Sequence, residues 1–194
     1  MITLGFIRHG TTEWNIAGRM QGQMDTALAE VGVIQAKRLA ERLKSETWDG
    51  IITSDLIRAS QTAQMIAQVT GTPLIGSDIR LRERSFGQVE GTTLEERLSR
   101  WGEGWREADL GMESDEALLK RWHNLVEELI SEHHGKRILL VSHGGYIAPV
   151  IEKMLGRPIE EHLNNTSLTI VEGNPEGWNC KLLNCTIHLD EVQI

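Results

Sequence analysis

Two apolar segments, one at the start of the chain and one in its last third, are each followed by a polar residue, a histidine and a glycine. Residues 2–7 are short, mostly apolar and β-prone, and the motif Arg8-His9-Gly10 follows them. Residues 137–141 form the clearest strand pattern in the chain and lead into Ser142-His143-Gly144-Gly145. In an open α/β sheet the carboxyl ends of parallel strands form one edge, where such folds bind ligands. The two histidines are therefore expected to face each other across a pocket.

Helix and strand patterns alternate along the rest of the chain. Further strands are predicted at 51–53, 74–75, 167–171 and 178–183, and helices at 30–44, from Asp55 to about 70, at 92–107, at 114–134 and from about 145 to 155. Asp55 is expected to cap the helix that follows it, and residues 173–177 to turn a closing antiparallel hairpin. This order predicts an α/β three-layer sandwich, with a mostly parallel central sheet flanked by helices.

The length of 194 residues suits one domain spanning 1–194. The regular alternation is interrupted once, where the charged, loop-like stretch 81–91 is followed by a polar helix pattern. We therefore predict that a small helical cap, about residues 84–113, is inserted over the sheet.

Charge and composition exclude several classes of partner. Acidic residues outnumber basic ones by 28 to 20, so no overall basic field attracts nucleic acid or an anionic membrane. The longest apolar run, 138–141, is far too short to span a bilayer. We expect no signal peptide, reduced thiols at Cys180 and Cys185, and hence a cytoplasmic protein. The oligomeric state stays open.

Three more candidate residues share the predicted sheet edge with His9 and His143. Arg8 precedes His9, Arg58 opens the helix after strand 51–53, and Glu83 lies in a loop that can close over the edge. Taken singly, each residue also has an ordinary structural role. Arg58 could pair with Asp55 on a helix surface, and Glu83 could be one of several solvated charges.

These residues lie in separated blocks that resemble the histidine phosphatase superfamily, in its phosphoglycerate-mutase-like branch. The blocks are Arg8-His9-Gly10 with Trp14-Asn15, residues 18–22, residues 54–63, Glu83 with Phe86-Gly87 and Glu90-Gly91, and residues 142–145. The similarity spans nearly the whole chain and extends to bacterial broad-specificity and α-ribazole phosphatases. Thr11 departs from the pattern, since many relatives have glutamate there.

The resemblance implies phosphoryl transfer through a phosphohistidine, with His9 as nucleophile and Glu83 as general acid and base. Arg8, Arg58 and His143 would stabilise the charge on the transferring group, so no metal or cofactor is implied. The implied substrate-binding residues are Arg8, Asn15, Gln21, Gly22, Arg58, His143 and Gly144.

This chemistry sets two requirements on the surroundings of the two central residues. One ring nitrogen of His9 must donate to a fixed acceptor, such as a carbonyl near Gly10, to set the tautomer. Glu83 needs a raised pKa to act as an acid, so Arg82 and Arg84 are expected to point away from it.

We expect hydrolysis of small phosphomonoesters by an acid-type phosphatase. Only 59 residues separate Glu83 from His143, with no paired-arginine insertion of the kind that mutases carry, which disfavours a phosphoglycerate mutase. Two further functions stay open at this point. One is a non-catalytic module that binds a phospho-ligand or a protein, and the second is a metal-dependent hydrolase that uses the histidines as ligands.

Aromatic and basic residues of the predicted cap are further candidates for substrate contact. Six tryptophans are present against one tyrosine and two phenylalanines, and Trp14, Trp101 or Trp105 could form a pocket wall as readily as core. An acidic substrate could meet Arg97, Arg100 and Arg106, although a solvated helix face is the simpler interpretation. The histidines outside the motifs are interpreted as surface or packing residues: His123, His133, His134, His162 and His188.

Overall fold

One six-stranded sheet organises the molecule. The computed structural model describes residues 1–174 and 176–190; Pro175 of the predicted hairpin turn and residues 191–194 of the predicted domain lie outside the described residues. The strands are β1 (Ile2–Arg8), β2 (Gly50–Thr53), β3 (Leu74–Ser77), β4 (Arg137–Ser142), β5 (Leu168–Asn174) and β6 (Gly177–Cys185). Their order is β3-β2-β4-β1-β5-β6. The first four run parallel, whereas β5 and β6 add an antiparallel edge.

Helices cover both faces of this sheet. They are α1 (Glu13–Ile16), α2 (Glu30–Leu43), α3 (Ile57–Thr70), α4 (Leu94–Trp101), α5 (Asp115–Glu132) and α6 (Gly144–Leu155). Apolar residues of α5 and α6 fill one core cluster with the sheet, and those of α2 and α3 fill the other. The predicted three-layer sandwich and its antiparallel edge are thus confirmed. Within residues 1–174 and 176–190, no helix combines the length and the apolar content that crossing a bilayer requires.

The pairing of the two central strands places both histidines at the same height. Strands β1 and β4 are parallel neighbours with Arg8 opposite Ser142, and the amide of His9 donates to the Ser142 carbonyl at 3.0 Å. Each histidine is the residue that follows its strand. His9 and His143, which are far apart in the sequence, therefore lie next to each other at the carboxyl edge of the sheet.

The predicted cap differs in detail from its sequence pattern. One helix over 92–107 is wrong, because α4 ends at Trp101 and a 3₁₀ helix spans Glu103–Arg106. Gly102 between them has φ 73°, a left-handed conformation that ends α4 and that glycine adopts at little cost. The segment 84–113 has a small apolar cluster of its own, centred on Val89, Trp105 and Leu110.

The predicted cap of α3 by Asp55 is also wrong. The N-cap residue is Leu56, and the first amide of α3, at Ile57, donates instead to Asp25 Oδ1 at 2.7 Å. Asp55 is not available because both its oxygens accept from the Arg82 guanidinium, at 2.8 and 2.5 Å. A bidentate contact with a charged partner is stronger than a single helix-cap contact.

Candidate active site

A cavity of about 280 Å³ opens where the parallel strands end. Every predicted site residue lines it except His143. It is also lined by five residues outside the predicted set: Arg19, Met20, Phe86, Gly145 and His162.

His9 is buried at the base of this cavity with one ring nitrogen fixed. Its Nδ1 lies 2.7 Å from the Gly10 carbonyl oxygen, which can only accept, so Nδ1 carries the proton. This is the contact that the sequence analysis required. The unprotonated Nε2 lies 3.3 Å from Arg58 Nε, which donates to it. Burial, together with the charges of Arg58 and Arg8, holds the pKa of His9 well below 6.5, so the ring is neutral at pH 7.

Two glycines let the His9 loop lie directly against helix α2. A Cβ at Gly10 would lie 2.6 Å from the Gly32 carbonyl oxygen, and a Cβ at Gly32 would lie 2.0 Å from the Thr11 carbonyl oxygen. No side chain fits at either position without moving the backbone. The Gly10 amide also donates to Thr62 Oγ1 at 3.1 Å, which ties the loop to α3.

Substitution of Gly32 by alanine tests this close packing. Overpacking against a backbone carbonyl typically costs about 1–3 kcal/mol, which exceeds the gain of up to about 1 kcal/mol in helix propensity. We therefore expect Gly32→Ala to lower the free energy of unfolding, measured by urea denaturation. Gly76→Ala is the control, because a Cβ there would meet no atom within 4 Å. Equal stability of the two variants would contradict the packing argument.

Arg8 and Arg58 are the two arginines of the cavity lining beside His9. Arg58 is fully buried and donates to the carbonyls of Gly22 at 2.7 Å and Met24 at 2.8 Å. Arg8 donates to the Leu163 carbonyl at 2.5 Å, and its Nε is buried without a partner. Burial lowers the pKa of Arg58 to about 10, which still leaves it charged at pH 7. Neither arginine forms a salt bridge with a described carboxylate, so both remain available to an anionic ligand.

Glu83 is a buried carboxyl group held by backbone amides. Its Oε1 accepts from the Arg84 amide at 2.8 Å, and Oε2 accepts from the Gly145 amide at 3.1 Å. Burial raises the pKa of Glu83 above its ordinary 4.5, against the opposing effects of these two amides, Arg58 and Arg8. A carboxyl group with a raised pKa beside two cations is suited to proton transfer.

The guanidinium groups of the two arginines on either side of Glu83 do not pair with its carboxyl group. Arg82 is paired with Asp55, and Arg84 forms a salt bridge with Asp115. Both arginines therefore direct their charge away from the cavity, as the sequence analysis expected.

His143 lies behind the cavity wall. Its ring centroid is 5.2 Å from that of His9, and its Nε2 is 2.8 Å from Ser54 Oγ. Its Nδ1 is buried without a hydrogen-bond partner among the described residues. Burial and the charge of Arg58 hold the pKa of His143 well below 6.5.

The polar residues after β1 shape the opposite wall. Thr12 caps α1 in a capping box with Asn15, whose Oδ1 accepts from the Thr12 amide at 3.1 Å. Gln21 Oε1 accepts from the hydroxyls of Thr12 at 2.9 Å and Thr26 at 2.5 Å. The carboxamide oxygens of Asn15 and Gln21 thus hold the loop, which leaves their nitrogens as the donor ends.

No tryptophan forms a wall of the cavity. Trp14, Trp101 and Trp105 do not line it, and Trp105 is the centre of the apolar cluster in segment 84–113. The interpretation of any of them as a wall of this cavity is wrong; Trp101 and Trp105 pack in the apolar cluster of segment 84–113 instead. Phe86 is the aromatic residue that lines the cavity.

The three candidate arginines of the predicted cap stack on these indoles and do not line the cavity. The guanidinium carbon of Arg97 lies 4.8 Å from the Trp105 ring centroid, and that of Arg106 lies 4.4 Å from it. Arg100 lies over Trp101 at 5.9 Å. Arg97 is also buried and donates to the Thr92 carbonyl at 2.7 Å, so a solvated face is wrong for Arg97.

His162 is exposed, as predicted for a surface residue, and it also lines the cavity. Its Nε2 lies 3.0 Å from Arg8 Nη1 and accepts a hydrogen bond from it. Burial and the Arg8 charge lower the pKa of His162. It comes from the loop after α6, with no pattern around it that points to a site. Arg19 and Met20, by contrast, lie in the block 18–22 that the resemblance included.

The described part of the chain contains no cluster of potential metal ligands. Among residues 1–174 and 176–190, no three or more histidine, cysteine or acidic side chains are grouped so that they could hold a metal ion. Cys180 and Cys185 are both free thiols.

Fold and site together define an α/β protein whose cavity places a neutral imidazole beside two arginines that have no salt bridge to a described carboxylate. Residues 4–186 match the family model of the histidine phosphatase superfamily, branch 1. The chain belongs to this superfamily.

Three similar proteins extend the comparison. The metal-independent phosphoserine phosphatase of Arabidopsis thaliana is 33% identical over 96% of this chain and 82% of its own length. A probable phosphoglycerate mutase of Yersinia pestis is 33% identical over 98% of this chain and 96% of its own. The phosphoserine phosphatase of Entamoeba histolytica, solved as a histidine-to-alanine mutant with phosphoserine, is 30% identical with a TM-score of 0.82, covering 97% of this chain and 100% of the other. The family match and the names of the two phosphatases together support phosphatase activity.

Proposed function

We propose that this protein hydrolyses small phosphomonoesters without a metal, through a phosphohistidine on His9. The observation that carries the proposal is the placement of a neutral His9, with Nε2 unprotonated, beside Arg8 and Arg58, which no described carboxylate neutralises. An unprotonated imidazole nitrogen is nucleophilic near pH 7, and the two guanidinium groups match the charge of a phosphate dianion.

In the first step His9 Nε2 attacks the phosphorus and the bond from phosphorus to the ester oxygen breaks. Negative charge on the three equatorial oxygens is stabilised by Arg8 and Arg58, with donors from Asn15 and Gly144 at the rim. Glu83 donates its proton to the departing alkoxide, which leaves as an alcohol. Arg8 Nε, a buried donor with no partner among the described residues, fits the stabilisation of these oxygens.

In the second step Glu83, now a carboxylate, removes a proton from the attacking water. The bond from phosphorus to Nε2 breaks, inorganic phosphate leaves, and His9 and Glu83 return to their starting protonation states. The Nδ1 contact with the Gly10 carbonyl keeps the same nitrogen available in each cycle.

We also propose that residues 84–113 act as a cap within a single domain. Phe86 brings this segment to the cavity, and Glu90 Oε1 accepts from the amides of Phe86 at 2.9 Å and Gln23 at 3.1 Å. The contact with Gln23 joins the segment to the loop after α1.

A phosphoglycerate mutase is the second candidate, favoured by the name of the Yersinia pestis relative. A mutase must keep water from the phosphohistidine and hold a substrate carboxylate through reorientation. Arg97, Arg100 and Arg106 of segment 84–113 stack on tryptophans and do not line the cavity, which favours hydrolysis.

Trapping the intermediate tests the proposal. We expect rapid quenching during turnover of a ³²P-labelled phosphomonoester to leave label on the protein that is stable to alkali, lost in acid, and absent from His9→Ala. Peptide mapping should place it on His9. Acid-stable label on a serine would refute the histidine intermediate, and release of phosphate with no labelled protein at any quench time would favour direct hydrolysis.

A further inference from the structure

The positive charge of the two arginines beside His9 equals the negative charge of a phosphomonoester dianion, so none remains to compensate a further anionic group. Arg8 and Arg58 supply two positive charges, and a phosphomonoester dianion supplies two negative ones. Glu83 is neutral when it acts as the acid. A carboxylate on the leaving group would need a third cation in the cavity, because an unpaired buried charge is costly.

Among the described residues, Arg19 is the one further guanidinium that lines the cavity, and Glu96 holds it. Arg19 Nη1 donates to Glu96 Oε2 at 3.0 Å and to the Gly91 carbonyl at 2.5 Å, and Nη2 donates to Glu96 Oε1 at 3.2 Å. The backbone amide of Thr93 and then Arg19 lower the pKa of Glu96, so this carboxylate is charged at pH 7. The fork of Arg19 is thus already matched by a carboxylate of the protein itself.

The rest of the wall beyond the phosphate position is uncharged. Met20 and Phe86 are apolar, Gln21 offers a neutral carboxamide nitrogen, and His162 accepts a hydrogen bond from Arg8. With Nε2 as the acceptor, the neutral ring carries its proton on Nδ1 and offers a donor that suits a hydroxyl group.

We propose that this enzyme selects phosphomonoesters with uncharged, hydroxyl-bearing or apolar leaving groups over those that carry a carboxylate, and that Glu96 enforces the selection by holding Arg19. The inference rests on the proposed phosphatase function and names its substrate class.

A matched pair of substrates tests it. Glycerol 3-phosphate and 3-phosphoglycerate both release a primary alcohol and differ in a hydroxymethyl group against a carboxylate. We expect kcat/KM to be higher for glycerol 3-phosphate by about tenfold or more, the cost of one poorly compensated charge. Equal values, a preference for 3-phosphoglycerate, or no turnover of either ester by an enzyme that hydrolyses 4-nitrophenyl phosphate would overturn the proposal.

Glu96→Gln isolates the role of the ion pair. Glu96 also closes the capping box of α4 with Thr93, and glutamine serves equally well at that position, so the helix is retained. Release of Arg19 should raise kcat/KM for 3-phosphoglycerate, with little change for glycerol 3-phosphate. The ratio of kcat/KM for glycerol 3-phosphate to that for 3-phosphoglycerate should therefore fall by about fivefold. Adding Arg19→Gln to this variant should restore the original ratio.

Glu95→Gln is the matched control. It removes the same charge from the neighbouring, exposed position of the same helical turn. An unchanged ratio in Glu96→Gln, or equal narrowing in Glu95→Gln, would show that Glu96 does not set the selection. Loss of the phosphatase function itself is a separate result, seen as no hydrolysis of 4-nitrophenyl phosphate by the unmodified enzyme.

Discussion

Replacing His9 with alanine is expected to lower turnover of 4-nitrophenyl phosphate by at least about 10⁴-fold, in the presence of excess chelator. The loss is this large because no other described nucleophile lies between Arg8 and Arg58 at the end of β1. The unmodified enzyme should keep its activity under the same conditions, since the arginines supply the charge stabilisation that a metal otherwise would. The measurement is initial release of 4-nitrophenolate with and without chelator.

His123→Ala controls for loss of a histidine as such. Its side chain is 67% exposed and forms a salt bridge with Glu127 on the surface of the same helix, so activity should be unchanged. Chelator-sensitive activity in the unmodified enzyme would favour a metal-dependent hydrolase. Inactivity with retained binding of inorganic phosphate would favour the non-catalytic phospho-ligand module.

Replacing Glu83 with glutamine should discriminate between leaving groups. For an alkyl phosphate, whose alkoxide must be protonated, we expect kcat/KM to fall by about 10²–10⁴-fold. For 4-nitrophenyl phosphate the leaving group needs no proton, so the same parameter should fall far less. The ratio kcat/KM reports the steps up to formation of the phosphohistidine, so slower hydrolysis of the intermediate does not obscure the comparison.

The pH profile provides a second measure of the same residue. Attack needs His9 neutral, and its pKa lies well below 6.5, so activity rises with pH only in the acid range. Protonation of the leaving group needs Glu83 protonated, and burial raises the pKa of Glu83, so activity on alkyl phosphates falls as pH rises through this raised pKa. Glu83→Gln should remove this alkaline limb, and the ionisation of the substrate is common to both enzymes.

Glu116→Gln, at an exposed position in the first turn of α5, is the control for Glu83→Gln. Equal losses with alkyl and 4-nitrophenyl substrates would refute the acid role of Glu83. Persistence of the alkaline limb in Glu83→Gln would assign that limb to another group.

Much of the fold follows from local sequence patterns. The apolar, β-prone runs before His9 and His143 predict strands, and the three- and four-residue spacing of apolar residues predicts helix 114–134, observed as α5 with Ser114 as its cap. Both signals are short-range, so they survive without knowledge of the tertiary contacts. The helix over 92–107 failed because one glycine in a left-handed conformation divides it, and glycine is tolerated inside helical patterns as well.

The residue that caps α3 and the position of His162 in the cavity lining could not be predicted from local sequence patterns. Whether Asp55 caps a helix depends on Arg82, 27 residues away, which offers a stronger partner. His162 reaches the cavity because its loop folds back to Arg8, 154 residues earlier. Contacts at such separations leave no periodic pattern in the sequence.

The sequence alone determined the family, the alternation of strands and helices, and the residues that end the two central strands. Only the tertiary structure decided which charged residues of the site are paired. Among the described residues Arg8 and Arg58 have no salt bridge to a carboxylate, whereas Arg19 pairs with Glu96 and Glu83 is buried. The physical reason is that charge state and availability depend on burial and on partners distant along the chain, whereas strand ends depend on neighbouring residues.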